Sequence, residues 1–496
     1  MKPFRAFGLA ALWFSAGLAL PAADRPNIVF ILADDLGYGD VQCLNPQRGK
    51  IPTPNLDRMV GQGMTFTDAH SGSAVCTPTR YGLLTGRYAW RSRLQQGVLD
   101  GYVPPLIAAD RLTVPALLRQ HGYHTACLGK WHLGCTIEGA DKSGGRKTAA
   151  EDGGGRFLGA PLGSRTSDGP TTRGFDFFYG FHHARMMESL FENDLVTAMV
   201  KPADMLPRLT RRAVDYITAR AQTRQPFFLY LALNSPHTPI VPSQAWLGKS
   251  GLGDYADFVM ETDWAVGEVL AALDHAAAGS NTLAIFTSDN GCSPAAKVGE
   301  LERKGHFPSA QFRGYKADIW DGGHRVPFLV RWPGRVPAGA RNGAVICLTD
   351  FMATAAELVG ARLPANASED SFSFLPELLG AGNTQRDAIV HHSIQGRFAI
   401  RQGSWKLALC PGSGGWGSPK DGEAKKQKLP EVQLYDLSND SGEKQNLQST
   451  HPEVVRQLTA LLGKVVADGR STPGPPQRND APVDIRKTSA KFSTKK

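Results

Sequence analysis

Four apolar runs, each ending in a cluster of polar residues, constrain this chain more than any other feature. Asn27–Ala33 (NIVFILA) is continuous and β-branched, as in a strand buried on both faces of a parallel sheet, and it stops at Asp34 and Asp35. Thr125–Gly129 (TACLG) runs into Lys130, Trp131 and His132, and Phe227–Asn234 (FFLYLALN) into Ser235, Pro236 and His237. Thr282–Ser288 (TLAIFTS) runs into Asp289, Asn290 and Gly291. Between these runs lie segments with apolar residues at helical spacing: Leu112–His121, Met205–Ala221 and Tyr255–His275. Strand and helix alternate, which predicts an α/β fold with a large, doubly wound, mostly parallel sheet. Ligands of such sheets bind beyond the carboxyl ends of the strands, so the four polar clusters are expected along one edge, as one site.

The rest of the chain follows from that frame. Phe328–Trp332 reads as a further strand and Phe351–Val359 as the helix that closes the large domain. From about Arg386 the pattern changes to short strands with glycine turns: Ala388–His392, Arg397–Arg401, Trp405–Cys410 and Gln433–Asp436, followed by a helix from Pro452 to about Ala467. This predicts a smaller C-terminal α+β domain, an antiparallel sheet with one helix. The expected divisions are a catalytic domain over 24–385, the small domain over 386–467 and a disordered tail over 468–496, where Pro, Gly, Ser and Lys dominate. Thr136–Arg173 reads as a long surface insertion, and Glu261, Asp263 and Glu268 as the solvated face of a helix.

Charge bears on partners. The formal net charge is +9, but two of those charges lie at Lys2 and Arg5 and four in the tail, which leaves about +3 for the body. No basic stripe for nucleic acid is expected. Lys2 and Arg5, an apolar run from Ala6 to Leu20 and then Pro21-Ala22-Ala23 predict an export signal over 1–23 and a periplasmic or secreted protein. The run is short for a bilayer span of roughly 20 residues, so no stable membrane insertion is expected. Seven cysteines permit disulfides without requiring them, and buried free thiols are an equal alternative.

The chemistry gathers around Cys76-Thr77-Pro78-Thr79-Arg80, which is followed by Gly86-Arg87. A helix starting at this turn points its free amides and the positive end of its dipole at whatever Cys76 carries, which favours an anion. Asp34, Asp35, Asp289 and Asn290 are hard oxygen ligands suited to one divalent cation, although the Asp34-Asp35 pair alone could be a solvated loop cap. Arg80, Lys130 and Lys316 offer positive charge, and His132 and His237 titrate in the range of acid–base work.

These motifs resemble the CxPxR…GR signature of the type I, formylglycine-dependent sulfatases, arylsulfatase-like members of the alkaline phosphatase superfamily. Arg313-Gly314-Tyr315-Lys316 and Asp321-Gly322-Gly323-His324-Arg325-Val326-Pro327 are similar to the family's GxK…EGGxRVP segment, with Asp321 where glutamate is usual. The resemblance implies a sulfuric ester hydrolase in which a maturing enzyme converts Cys76 to formylglycine (3-oxoalanine). One Ca2+ would be held by Asp34, Asp35, Asp289, Asn290 and the modified Cys76. The catalytic set would be Cys76, Arg80, Lys130, His132, His237 and Lys316. One hydroxyl of the formylglycine hydrate would attack sulfur, His237 or Lys316 would protonate the leaving oxygen, and His132 would take the proton of the second hydroxyl.

Substrate recognition is expected from His182, His183 and Arg185 in FDFFYGFHHAR. The family's packing of the small domain near the site adds His391, His392 and Trp416. A sulfated carbohydrate or aryl sulfate is the implied substrate, with galactose or N-acetylgalactosamine sulfate favoured. Two rivals stand beside this reading. One is a phosphatase or phosphodiesterase of the same superfamily, which would use Ser or Thr and two transition metals. The other is a secreted glycan-binding relative without catalysis.

Overall fold

Fourteen strands in two sheets carry the described residues, 25–139, 159–382 and 386–487, of the computed structural model. The expected export signal and the centre of the Thr136–Arg173 insertion lie outside those residues. In chain order the strands of the larger sheet are β1 (Asn27–Ala33), β2 (Met64–His70), β3 (His124–Lys130), β4 (Phe177–Phe181) and β5 (Ser189–Glu192). The same sheet continues with β6 (Leu195–Met199), β7 (Phe227–Ala232), β8 (Thr282–Ser288), β9 (Phe328–Arg331) and β10 (Ala340–Cys347). They lie in the order β10-β2-β9-β8-β1-β7-β3-β4-β5-β6. The central block β8-β1-β7-β3-β4 is parallel throughout, while β9 and the β5–β6 hairpin add antiparallel strands on either side.

Burial on both faces explains the continuous apolar runs. Along β1, Ile28, Phe30 and Leu32 enter one core, shared with the helix Phe351–Val359, while Val29, Ile31 and Ala33 enter the other, beneath the helices Pro202–Ala221 and Asp254–His275. Register then aligns the strand ends. Ala33 pairs with Ser288 across β1/β8, Leu32 with Ala232 across β1/β7, and Gly129 with Ala232 across β3/β7. Gly129 is required at its place, because a Cβ there would stand 1.9 Å from the carbonyl oxygen of Ala232.

The smaller sheet is antiparallel, β11 (Ala388–His392), β12 (Phe398–Gln402), β13 (Trp405–Ala408) and β14 (Gln433–Asp436), in that order. The helix Pro452–Ala467 packs on it through Leu458, Leu462 and Val465, and the same cluster takes in Tyr88, Trp90 and Cys347 of the large unit. The small sheet therefore rests on residues that directly follow the Cys76 segment.

Two expectations change. The C-terminal stretch from Asp468, read as disordered from composition, is ordered through residue 487 because buried arginines hold it. Arg87 grips the Asp480 carboxylate through Nη1 and Nη2 at 3.1 and 3.0 Å, and Arg91 Nη1 donates to Asn479 at 3.0 Å. Residues 488–496 lie outside the described residues. Glu261 and Asp263 are buried rather than solvated: Glu261 accepts from the Ser243 amide at 2.8 Å, and Asp263 accepts from the Leu56 amide at 2.8 Å, capping the helix Pro54–Gln62. Glu268 is exposed as expected. The segment FDFFYGFHHAR, expected to supply substrate contacts, also contributes β4. All seven cysteines are free thiols. Among the described residues no helix is long and apolar enough to cross a membrane.

Candidate active site at the carboxyl edge of the sheet

The sequence from Val75 to Gly86 folds as a turn, a helix (Cys76–Thr85) and a left-handed cap. Val75 is extended, the helix begins at Cys76 itself, and Gly86 closes it with φ 65°. A side chain at Gly86 would meet Met352 and Ser368 at 2.8 and 3.0 Å. The loop before Cys76 is tied down from the small sheet: the carbonyl of His392 accepts from the Ala74 amide at 3.0 Å and the Ser73 hydroxyl at 2.9 Å. Cys76 is 2% exposed. Burial raises its thiol pKa against the pull of Lys130 and Lys316, so the sulfur is a protonated thiol at neutral pH.

Arg80 lies one turn along and points back to the strand ends. Its Nη2 and Nε donate to Asp289 Oδ2 at 2.8 and 3.1 Å, and its Nη1 to the carbonyl of Lys130 at 2.9 Å. Lys130 Nζ stands 2.5 Å from Asp34 Oδ2, and Lys316 Nζ 2.6 Å from Asp35 Oδ1. Asn290 Nδ2 donates to Asp35 Oδ1 at 2.8 Å. Three carboxylates thus face three cations, all buried. For Asp34, burial opposes ionisation, yet His237, Lys130, Arg80 and Lys316 together hold it well below the usual carboxylate range. Asp289, also buried and repelled by Asp34, is pushed up to about 7 despite Arg80 and Lys130.

Two oxygens in this group have no partner: Asp34 Oδ1 and Asn290 Oδ1 are both buried and unbonded. Buried acceptors of this kind cost free energy unless something else satisfies them. Asp34, Asp35 and His237 also present ligand atoms within 4.8 Å of one another. Carboxylate and amide oxygens suit a hard divalent cation such as Ca2+, so Asp34, Asp35, Asp289 and Asn290 fit that ion.

The two histidines differ in tautomer. His132 Nε2 faces the Leu99 carbonyl at 3.0 Å and must carry the hydrogen, which leaves Nδ1 a lone pair with no partner. Burial, with Lys130 and His183 close by, keeps this ring neutral, well below the ordinary histidine range. His237 donates from Nδ1 to the Thr238 carbonyl at 2.6 Å and turns Nε2 toward Asp35 at 3.7 Å. Burial brings its pKa down to about 4, with Asp34 opposing and Lys316 reinforcing. Lys316 keeps its proton firmly: burial alone would lower its pKa, but Asp35 raises it.

The residues proposed for substrate divide. His183 sets its ring edge-on to His132 at 4.6 Å, and His182 lies 5.3 Å from Tyr102 while its carbonyl accepts from the His132 amide at 2.9 Å. Arg185 is exposed beside them, its amide bonded to His183 Nδ1. Trp416, 41% exposed in the loop after β13, is held through its amide, which donates to Asp318, two residues beyond Lys316, at 2.9 Å. The His392 ring is buried 4.9 Å from Phe398, so this residue meets the site through its carbonyl. His391 is placed elsewhere. It stacks on His324 at 3.7 Å beside His70, fully buried and away from the other candidates.

Sequence reasoning passed over the groups beneath the carboxylates. Ser288 Oγ accepts from the Leu36 amide at 3.0 Å, and Tyr255, Asp40 and His306 form a buried set under Asp35. Asp40 follows Gly37 by three residues and accepts from its amide at 2.7 Å, a local turn pattern that was available in the sequence.

Known proteins resemble this chain along most of its length. The family model described as Sulfatase matches residues 26–361. N-acetylgalactosamine-6-O-sulfatase of Bacteroides thetaiotaomicron is 33% identical, over 89% of this chain and 93% of the relative. Human arylsulfatase A is 34% identical, over 94% of this chain and 92% of its own. A solved structure from work on glycosaminoglycan metabolism by Bacteroides thetaiotaomicron superposes with a TM-score of 0.77 and 31% identity, covering 89% of this chain and 99% of its own.

Proposed function

The chain belongs to the sulfatase family and is a sulfuric ester hydrolase, and from that premise we propose that it removes O-sulfate from sulfated glycans, using one Ca2+ and a formylglycine made from Cys76. Galactose or N-acetylgalactosamine sulfate at a chain end is the proposed substrate, supported by the names of the relatives and by His182 and His183 beside His132. The observation that carries the reading is the convergence of Cys76, Arg80, Lys130 and Lys316 with four oxygen-bearing side chains on one sheet edge. An export signal over 1–23, a maturing enzyme as partner, and a division into 24–385 and 386–467 complete it.

Formylglycine supplies a hydroxyl nucleophile for sulfur, and Ca2+ neutralises charge on the sulfate. The chain's own residues do the rest. Each cation is anchored by a carboxylate: Arg80 on Asp289, Lys130 on Asp34, Lys316 on Asp35. They therefore meet the sulfate oxygens without reorganising, which is where electrostatic catalysis gains most. Lys316 holds a proton at Nζ for the leaving oxygen, with His237 Nε2 beside the same Asp35. The free Nδ1 of His132 takes up the proton released at the residue 76 side chain.

The test is the mass of the Cys76 peptide from protein isolated from its native host. A loss of about 18 Da, from CH2SH to CHO, is expected, together with sulfate release from N-acetylgalactosamine or galactose sulfate. An unmodified thiol in active protein overturns the formylglycine reading. Turnover confined to other sulfated sugars overturns the substrate.

A further inference from the structure

Asp35 leaves β1 with φ 67°, a left-handed conformation that a residue with a Cβ keeps only when its surroundings hold it. Its carbonyl oxygen lies 3.2 Å from the hydroxyl of Tyr255, in the first turn of the helix Asp254–His275. That hydroxyl is also 2.5 Å from Asp40 Oδ2, so its hydrogen sits between the two acceptors, nearer the carboxylate. Asp40 accepts twice more, from the Gly37 amide at 2.7 Å and from His306 Nε2 at 2.8 Å. The Lys50 amide donates to His306 Nδ1 at 3.0 Å, which fixes the ring as the Nε2–H tautomer.

Every member of this set is buried, and none belongs to the residues that face the substrate edge. The loop it holds has no slack. A Cβ at Gly39 would stand 2.2 Å from the carbonyl of Phe307, and the Gly39 amide donates to the Pro308 carbonyl at 2.6 Å. A fully satisfied buried network beneath the turn that runs from Asp35 to Asp40 has a definite output. It sets the direction in which the Asp35 carboxylate leaves the strand.

We propose that Tyr255, Asp40 and His306 are positioning residues that hold Asp35 in its left-handed conformation and thereby set the affinity of the carboxylate site for its divalent cation. This rests on the calcium reading above. Partners behind metal ligands carry roughly 10–100-fold in affinity, so Tyr255→Phe, which removes only the hydroxyl, is expected to weaken Ca2+ binding by that factor.

The measurement is Ca2+ titration of the full chain by calorimetry, with the calcium-induced rise in Tm as a second readout. Tyr255→Phe should lose affinity and show a smaller calcium-induced rise. His306→Gln, which retains a donor for Asp40, should bind nearly as wild type, and His306→Leu should not. Because this pair leaves Tyr255 intact, it decides the matter if Tyr255→Phe does not fold. Wild-type binding with equal affinity in Tyr255→Phe and His306→Leu overturns the positioning role alone. Absence of Ca2+ binding by the wild type overturns the calcium reading and this inference with it.

Discussion

Arg80 gives two of its nitrogens, Nη2 and Nε, to the same oxygen of Asp289, and so ties the helix that begins at Cys76 to the end of β8. The pair is fully buried, and its third donor fixes the Lys130 carbonyl. A lysine at this position keeps one charge but cannot reproduce the fork. Arg80→Lys is expected to lower kcat/KM by at least ~10²-fold, measured with an aryl sulfate. Arg80→Ala leaves Asp289 without its partner and should cost about 3–5 kcal/mol in denaturant unfolding, as for other broken buried pairs. An Arg80→Lys enzyme near wild-type rate would remove Arg80 from the catalytic set.

His132 has one committed nitrogen and one free. If Nδ1 is the base, His132→Gln keeps the donor to the Leu99 carbonyl but loses the basic lone pair. Turnover is expected to fall by ~10²–10⁴-fold with KM little changed. A rise in KM at unchanged kcat would instead assign His132 to binding.

Acid should destabilise this protein through its buried histidines. His182 and His392 are pushed down to about 3 by burial, and His70, His324 and His391 are lowered for the same reason in their shared cluster. Between the unfolded value near 6.5 and these folded values, the unfolded chain binds protons that the folded chain refuses. Their contribution is complete above about pH 6.5 and is lost as pH falls through that window. Asp289 and Glu443, pushed up to about 7, and Asp318, pushed up to about 6, act with the opposite sign as pH rises from 4 to 7, as do Glu261, Asp263 and Asp350, all raised chiefly by burial. They are outnumbered once His132, His183 and His237, also lowered by burial, are added to the histidines. Tm should therefore drop steadily from pH 7 to pH 4.5, and a flat profile would contradict the neutral state of these rings.

The central sheet was legible because burial on both faces leaves an unbroken apolar run, and because each run ended in a recognisable polar cluster. β2 (MTFTDAH) escaped notice, since an acidic residue and a histidine interrupt it. Those interruptions are where the small sheet docks: Asp68 accepts from Arg401 Nη1 and Nη2, each at 2.8 Å, and bonds His70 at 2.7 Å. A charge pair between residues more than 300 positions apart leaves no local pattern. The same holds for the tail, whose composition reads as disorder while Arg87 and Arg91 supply its order. Within the site, residues that carry chemistry lay in short motifs, but Tyr255, in the first turn of a helix, and His306, in a loop, lay far from those motifs and had no such signal. His391 adjoins His392 in sequence, yet alternation along β11 turns the two rings to different surroundings.

The grip of Arg87 on Asp480 and of Arg91 on Asn479 also has a consequence in time. Asp480 and Asn479 lie 393 and 388 positions beyond the arginines that hold them, so a ribosome makes them long after the Cys76 segment. Until Asn479 and Asp480 have been made, the turn after the Cys76 helix lacks these partners, and until β14 has been made the small sheet whose His392 carbonyl ties down Ala74 is incomplete. In the folded chain Cys76 is 2% exposed. A maturing enzyme of the kind proposed above would therefore have to reach residue 76 before these partners are in place.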